Sequence, residues 1–168
     1  MRKATFLCLF AVLITVVPAV AQSSSDEAAI RKILEDGVAT WNRGDADGYS
    51  RHFASDGTFT NVQGMFFAGY QAFRDRHEEI FKGQFRGTVL QQQPVSIRFV
   101  RPGVAVVDSL TWVSGFPQPG PPPGLRTDEK GRLRTRLFQL FVKDGADWKI
   151  AVYHNVDVKP AVSAPEPR

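Results

Sequence analysis

The 168-residue chain is 43% apolar, 23% charged and 11% aromatic, which fits one globular domain and excludes disordered, collagen-like and low-complexity classes. Its formal charge of +4 includes Arg2 and Lys3 in a leader-like stretch, so the basic balance is no argument for nucleic acid. The one cysteine, Cys8, lies in the same stretch, and its position removes disulfide and thiolate chemistry from everything after it.

Residues 1–21 read as a signal peptide. Arg2 and Lys3 are followed by the mostly apolar run from Ala4 to Val17, the breaker Pro18 and the small-x-small site Ala19-Val20-Ala21. That run is shorter than the roughly 17–25 apolar residues of a membrane helix. The expected location is therefore secreted or periplasmic, with no membrane association once the leader is removed. Residues 22–158 are expected to form one domain, and the Pro- and Ala-rich residues 159–168 a disordered tail.

Ser24 and Glu27 form a capping box, which predicts a helix starting there with Ile30, Ile33, Leu34, Val38 and Trp41 on one face. Gly44 ends it, and Asp45 is placed to cap a second, short helix carrying Tyr49, His52 and Phe53. Ser55-Asp56-Gly57 reads as a turn, and Thr58 to Val62 as a strand with Phe59 and Asn61 on one side. A third helix is predicted from about Gly69 to Lys82, closed by Gly83, with Phe73, His77 and Phe81 at four-residue spacing on its inner face.

The remainder predicts β structure. Thr88 to Val100 is a strand whose Pro94 marks an edge or a bulge. Arg101-Pro102-Gly103 is a turn, and Val104 to about Phe116 the returning strand. The Pro- and Gly-rich stretch 117–130 reads as a mobile hairpin loop, followed by strands at Arg132–Lys143 and Trp148–Val158. Helices segregated from strands give an α+β class: three helices on a strongly curved, mainly antiparallel sheet, a cone-shaped half-barrel around a pocket.

Trp41-Asn42-Arg43-Gly44-Asp45, Phe53-Ala54-Ser55-Asp56-Gly57, Gly69 through Phe81 with His77, and Asp144 through Ile150 leading to His154-Asn155 together carry a resemblance. In order and spacing they resemble the nuclear transport factor 2-like superfamily, its SnoaL-like group, and within it the SgcJ/EcaC subgroup. The resemblance spans about Asp26 to Val158. It implies a cone fold that hosts isomerases, dehydratases, cyclases, hydrolases, and binding or dimerisation modules.

Strict alternation along the last strand places Trp148, Ile150, Val152, His154 and Val156 on one face, so His154 is expected to join His77 in the cavity as an acid–base pair. The resemblance supports this, because a His-Asn pair recurs at that position in the subgroup and scytalone dehydratase, a fold relative, uses two histidines. For each ring the alternative is a structural core histidine. Asp108 sits among Val104, Val106, Leu110 and Trp112 and is expected to have a raised pKa suited to a base, or to face a dimer partner. Ketosteroid isomerase and polyketide cyclases of the superfamily use such an aspartate.

Asn61 is a candidate oxyanion donor or the cap of a strand end, and Arg136 a partner for an anionic ligand group or a solvated edge residue. Trp41, Phe59, Trp112 and Phe138 are expected to shape an aromatic pocket or plain core. No nucleotide-binding loop, nucleophile elbow or metal-ligand spacing is present in the sequence, so no cofactor and no metal are expected. The expected partner is a small-molecule ligand or substrate, with a homodimer as the assembly. The functional expectation is an isomerase, dehydratase or cyclase; the alternative is a non-catalytic binding or dimerisation module.

Overall fold

A computed structural model of the chain describes residues 19–159 together with 162, 166 and 167. All but residues 19–21 of the signal-peptide reading, and most of the tail reading, lie outside the described residues. Three helices, α1 (Ala19–Trp41), α2 (Ala46–Ser50) and α3 (Tyr70–Lys82), are followed or interleaved by β1 (Phe53–Thr60), β2 (Phe66–Ala68), β3 (Val89–Arg101), β4 (Val104–Ser114), β5 (Leu133–Asp144) and β6 (Asp147–Asp157). The six strands form one sheet in the order β2-β1-β6-β5-β4-β3. β1 runs parallel to β6 and every other pairing is antiparallel, so the sheet is mixed. The helices pack on one face of this open sheet, which gives the α+β cone expected from the sequence.

α1 begins before the predicted cap, so Ser24 is not its first residue. Glu27 instead pairs with Arg31 one turn on. Asp26 accepts from Lys143 Nζ at 2.6 Å and Trp148 Nε1 at 3.1 Å, which ties the helix to the β5–β6 hairpin. Asp45 caps α2 as predicted, accepting from Gly48 N at 2.8 Å. Gly44 takes the left-handed conformation (φ 66°) that the turn between the two helices requires. Phe73, His77 and Phe81 are the buried stripe of α3.

Three irregularities set which side chains reach the interior. Ser55-Asp56-Gly57 is not a turn but lies inside β1, whose register against β6 shifts between Phe53 and Thr58. Gly57 lets the Phe53 ring and the Ile150 carbonyl approach: a Cβ there would lie 2.8 Å from the ring and 3.1 Å from the oxygen. β3 is a sheet edge and shifts register between Pro94 and Ser96, as its proline requires. On β6, Leu140 of β5 faces Val152 while Phe141 faces Ile150, so Ala151 is an extra residue without a partner.

The bulge at Ala151 overturns the predicted alternation. Trp148 and Ile150 point inward, but beyond Ala151 the phase reverses. Tyr153 is then buried and His154 exposed on the outer face.

Candidate functional site

Between the helices and the sheet lies a cavity of about 650 Å³, mouth included, whose walls are largely aromatic and aliphatic. α1 contributes Trp41, α2 Tyr49, β1 Phe59, α3 His77, and β6 Tyr153 and Asn155. Apolar walls carrying a few polar groups suit a small organic ligand.

The His77 ring is 2% exposed and stands among rings, with centroids 4.2 Å from Phe73, 4.7 Å from Tyr49 and 5.2 Å from Phe59. Its Nδ1 lies 2.7 Å from the Phe73 carbonyl oxygen. A carbonyl can only accept, so Nδ1 carries the proton and Nε2 is left as a bare lone pair. Nε2 has no hydrogen-bond partner among the described residues. Burial pushes the conjugate acid down to about 4, against a smaller opposing effect of the Phe73 carbonyl, so the ring is neutral near pH 7.

Beside it, the hydroxyls of Tyr49 and Tyr153 meet at 2.9 Å. One donates to the other, which leaves one phenolic proton of the pair free. Burial raises both phenols, Tyr153 to about 12, so both stay protonated. The same two rings wall a smaller cavity behind them that is lined by His52, Gln92 and Gln139. On the sheet wall, the Thr111 and Thr135 hydroxyls pair at 2.6 Å. Arg76 is the one residue of the cavity wall that is charged at neutral pH; its guanidinium is engaged by Glu79 at 3.0 Å and by the face of Phe67. Leu125 of the 117–130 stretch forms part of the wall, and Gln63 Nε2 donates to the Pro123 carbonyl at 3.4 Å. The stretch read as a loose hairpin loop thus lies across the site.

Of the residues singled out from the sequence, His77, Trp41, Phe59 and Asn61 line the cavity. The Oδ1 of Asn61 is occupied by the amides of Gln63 and Met65 at 3.0 and 2.9 Å, holding the turn after β1. The others do not come together with them. His154 pairs across the sheet with Phe138, and Phe138 with Asp108, all on the outer face. Arg136 is exposed on that face as well, next to Leu110 and Val156. Trp112 is buried but on the outer side, in a groove with Asn42, Gln91 and Pro167. The placement of His154, Asp108, Arg136, Phe138 and Trp112 at the pocket is therefore corrected. For β6 the cause is the Ala151 bulge. For β4 and β5 the inward set is Ala105, Val107, Ser109, Thr111 and Val113 against Leu133, Thr135, Leu137, Gln139 and Phe141, one residue out of phase with the set chosen from hydropathy. Among the described residues no group of three His, Cys, Asp or Glu side chains is arranged to hold a metal ion.

Tyr49, Tyr153 and Asn155 were not selected from the sequence as site residues. Tyr153 and Asn155 sat on the face taken as outward. The usable signal was the curvature itself, since a sheet bent around a pocket needs bulges that exchange its faces.

No curated protein sequence matches the chain. Solved structures that it is similar to include a domain of unknown function with a cystatin-like fold from Nostoc punctiforme, 22% identical, covering 82% of this chain and 80% of that one with a TM-score of 0.69. A hexachlorocyclohexane dehydrochlorinase (LinA) type 2 is 11% identical, with 88% and 98% covered and a TM-score of 0.66. A ketosteroid isomerase-like protein from Erwinia carotovora atroseptica is 15% identical, with 79% and 96% covered and a TM-score of 0.61. These likenesses are of fold. The sequence model of the SnoaL-like domain matches residues 30–155, from the first buried isoleucine of α1 to the cavity asparagine of β6. The chain belongs to the SnoaL-like domain family.

Proposed function

We propose that the protein binds a small, mostly apolar molecule in the aromatic cavity and moves a proton on it, as an isomerase, dehydratase or cyclase does, with Nε2 of His77 as the proton acceptor. One observation carries the reading: a single imidazole nitrogen, stripped of its proton by the tautomer that the Phe73 carbonyl fixes, inside an apolar cavity. In the resting protein the ring is a weak base. Negative charge developing on a bound substrate would stabilise the imidazolium as it forms, an interaction strengthened by the low dielectric of the cavity. The free phenolic proton of the Tyr49–Tyr153 pair is a donor for an oxyanion formed in the same step.

A second reading is favoured by what stands behind Nδ1. It is a backbone carbonyl, which stabilises an imidazolium less than a carboxylate would. On that reading the same cavity binds and does no chemistry.

Solvent exchange separates the two. With 2-tetralone in D2O, followed by proton NMR, catalysis predicts α-proton exchange about 10²–10⁴-fold above buffer, returning to background in His77→Gln. Exchange at the buffer rate with tetralone bound would leave the binding reading in place. Export forms part of the same proposal and rests on the sequence of residues 1–21. So does a homodimer through the outer sheet face, supported by the exposed apolar side chains Phe138 and Val156 beside His154.

A further inference from the structure

The polar groups of the cavity are unevenly supplied with partners. His77 Nε2 can only accept, because Nδ1 holds the ring's proton. The Oδ1 of Asn155 is buried with no partner among the described residues. Buried acceptors left unmet are costly, and a ligand that brings donors removes that cost.

On the strength of the small-molecule reading above, we infer that the cavity takes a neutral, flat, hydroxyl- or NH-bearing molecule, and that Asn155 and Nε2 of His77 read its hydrogen-bond donors. A ligand hydroxyl fits both sides of the site. It accepts the free proton of the Tyr49–Tyr153 pair and passes its own to His77, whose ring centroid is 4.7 Å from that of Tyr49. A carboxylate ligand sets its charge against two acceptors, and the one cation at the wall, Arg76, is already engaged by Glu79. A ketone satisfies only the free proton of the Tyr49–Tyr153 pair, and an ether likewise leaves Nε2 of His77 and Oδ1 of Asn155 unmet. Flatness follows from the walls, where Trp41, Phe59 and Phe85 present ring surfaces.

The test is calorimetric titration of the full chain with three probes on one ring system: 2,7-dihydroxynaphthalene, 2,7-dimethoxynaphthalene and 2-naphthoate. The diol is expected to bind about tenfold more tightly than the dimethyl ether, one hydrogen bond's difference, and the naphthoate more weakly than either. Asn155→Leu should shrink the diol-to-ether ratio to about threefold or less, whereas Asn155→Asp, which keeps the acceptor, should retain it. Asn155→Ala serves the same purpose should the leucine variant not fold, with circular dichroism as the check. Equal binding of diol and ether overturns the inference and leaves the cavity as a binding site. A full ratio in folded Asn155→Leu removes Asn155 as the reader. Failure of all three probes to bind overturns the small-molecule reading and this inference with it.

Discussion

The lone pair on Nε2 of His77 exists because a backbone carbonyl, one helical turn back, claims the other nitrogen's proton. Burial then holds the ring neutral, with its conjugate acid at about 4 instead of the ordinary value near 6.5. In the unfolded chain the same imidazole takes up a proton as pH falls through 6.5, while the folded chain does not until pH 4. The unfolded state therefore binds more protons in that window, and stability present at neutral pH is lost between pH 6.5 and 4. The shift corresponds to roughly 3 kcal/mol. Urea denaturation of wild type and His77→Gln at pH 7 and pH 4.5 should show the wild type losing more stability on acidification. Exchange activity should rise through about pH 4 and stay level to neutrality, the limb of a base that must be unprotonated. Tyr153→Phe leaves the Tyr49 hydroxyl unpaired in a buried place; a loss of about 1–3 kcal/mol is expected in thermal melts, with exchange slowed because the remaining hydroxyl has no partner to orient and polarise it.

Helix α3 and the two long hairpins were legible in the sequence because their signals are local. Phe73, His77 and Phe81 recur at four-residue spacing, and Arg101-Pro102-Gly103 and Asp144-Gly145 are turns. Which strand face met the cavity was not legible, because it depends on bulges that local composition does not mark. Ala151 is neither glycine nor proline, and the run Trp148, Ile150, Val152, Val156 alternates as though no bulge existed. His77 was therefore placed correctly and His154 on the wrong side of the sheet. The apolar outward residues Leu110, Trp112 and Phe138 misled in the same way on β4 and β5. His154→Ala should accordingly leave tetralone exchange unchanged within about twofold, as befits a surface change away from the cavity. Gly57→Ala should cost about 1–3 kcal/mol in chemical denaturation, since its methyl would overlap the Phe53 ring and press on the Ile150 carbonyl.

As a whole, the molecule presents two unlike faces. The inner one is closed over by α1, α3 and the 117–130 stretch, whose Leu125 reaches the cavity wall. At the end of that stretch, Asp128 and Arg132 form a largely buried ion pair at 2.7 Å, and Glu166 of the tail binds Arg132 and Lys130 in turn. The outer face leaves Phe138 and Val156 in contact with water, which is why a second copy is proposed there. Sedimentation equilibrium should report a dimer for wild type and a monomer for Phe138→Glu, with circular dichroism unchanged; a monomeric wild type would end that part of the proposal.

The reading of the cavity rests on one protonation state, and nitrogen-15 NMR of the His77 ring measures it directly. At pH 7 the account predicts a pyrrole-type Nδ1, an unprotonated Nε2, and no titration of the ring until the pH approaches 4. An imidazolium at pH 7, or a proton on Nε2, would contradict it.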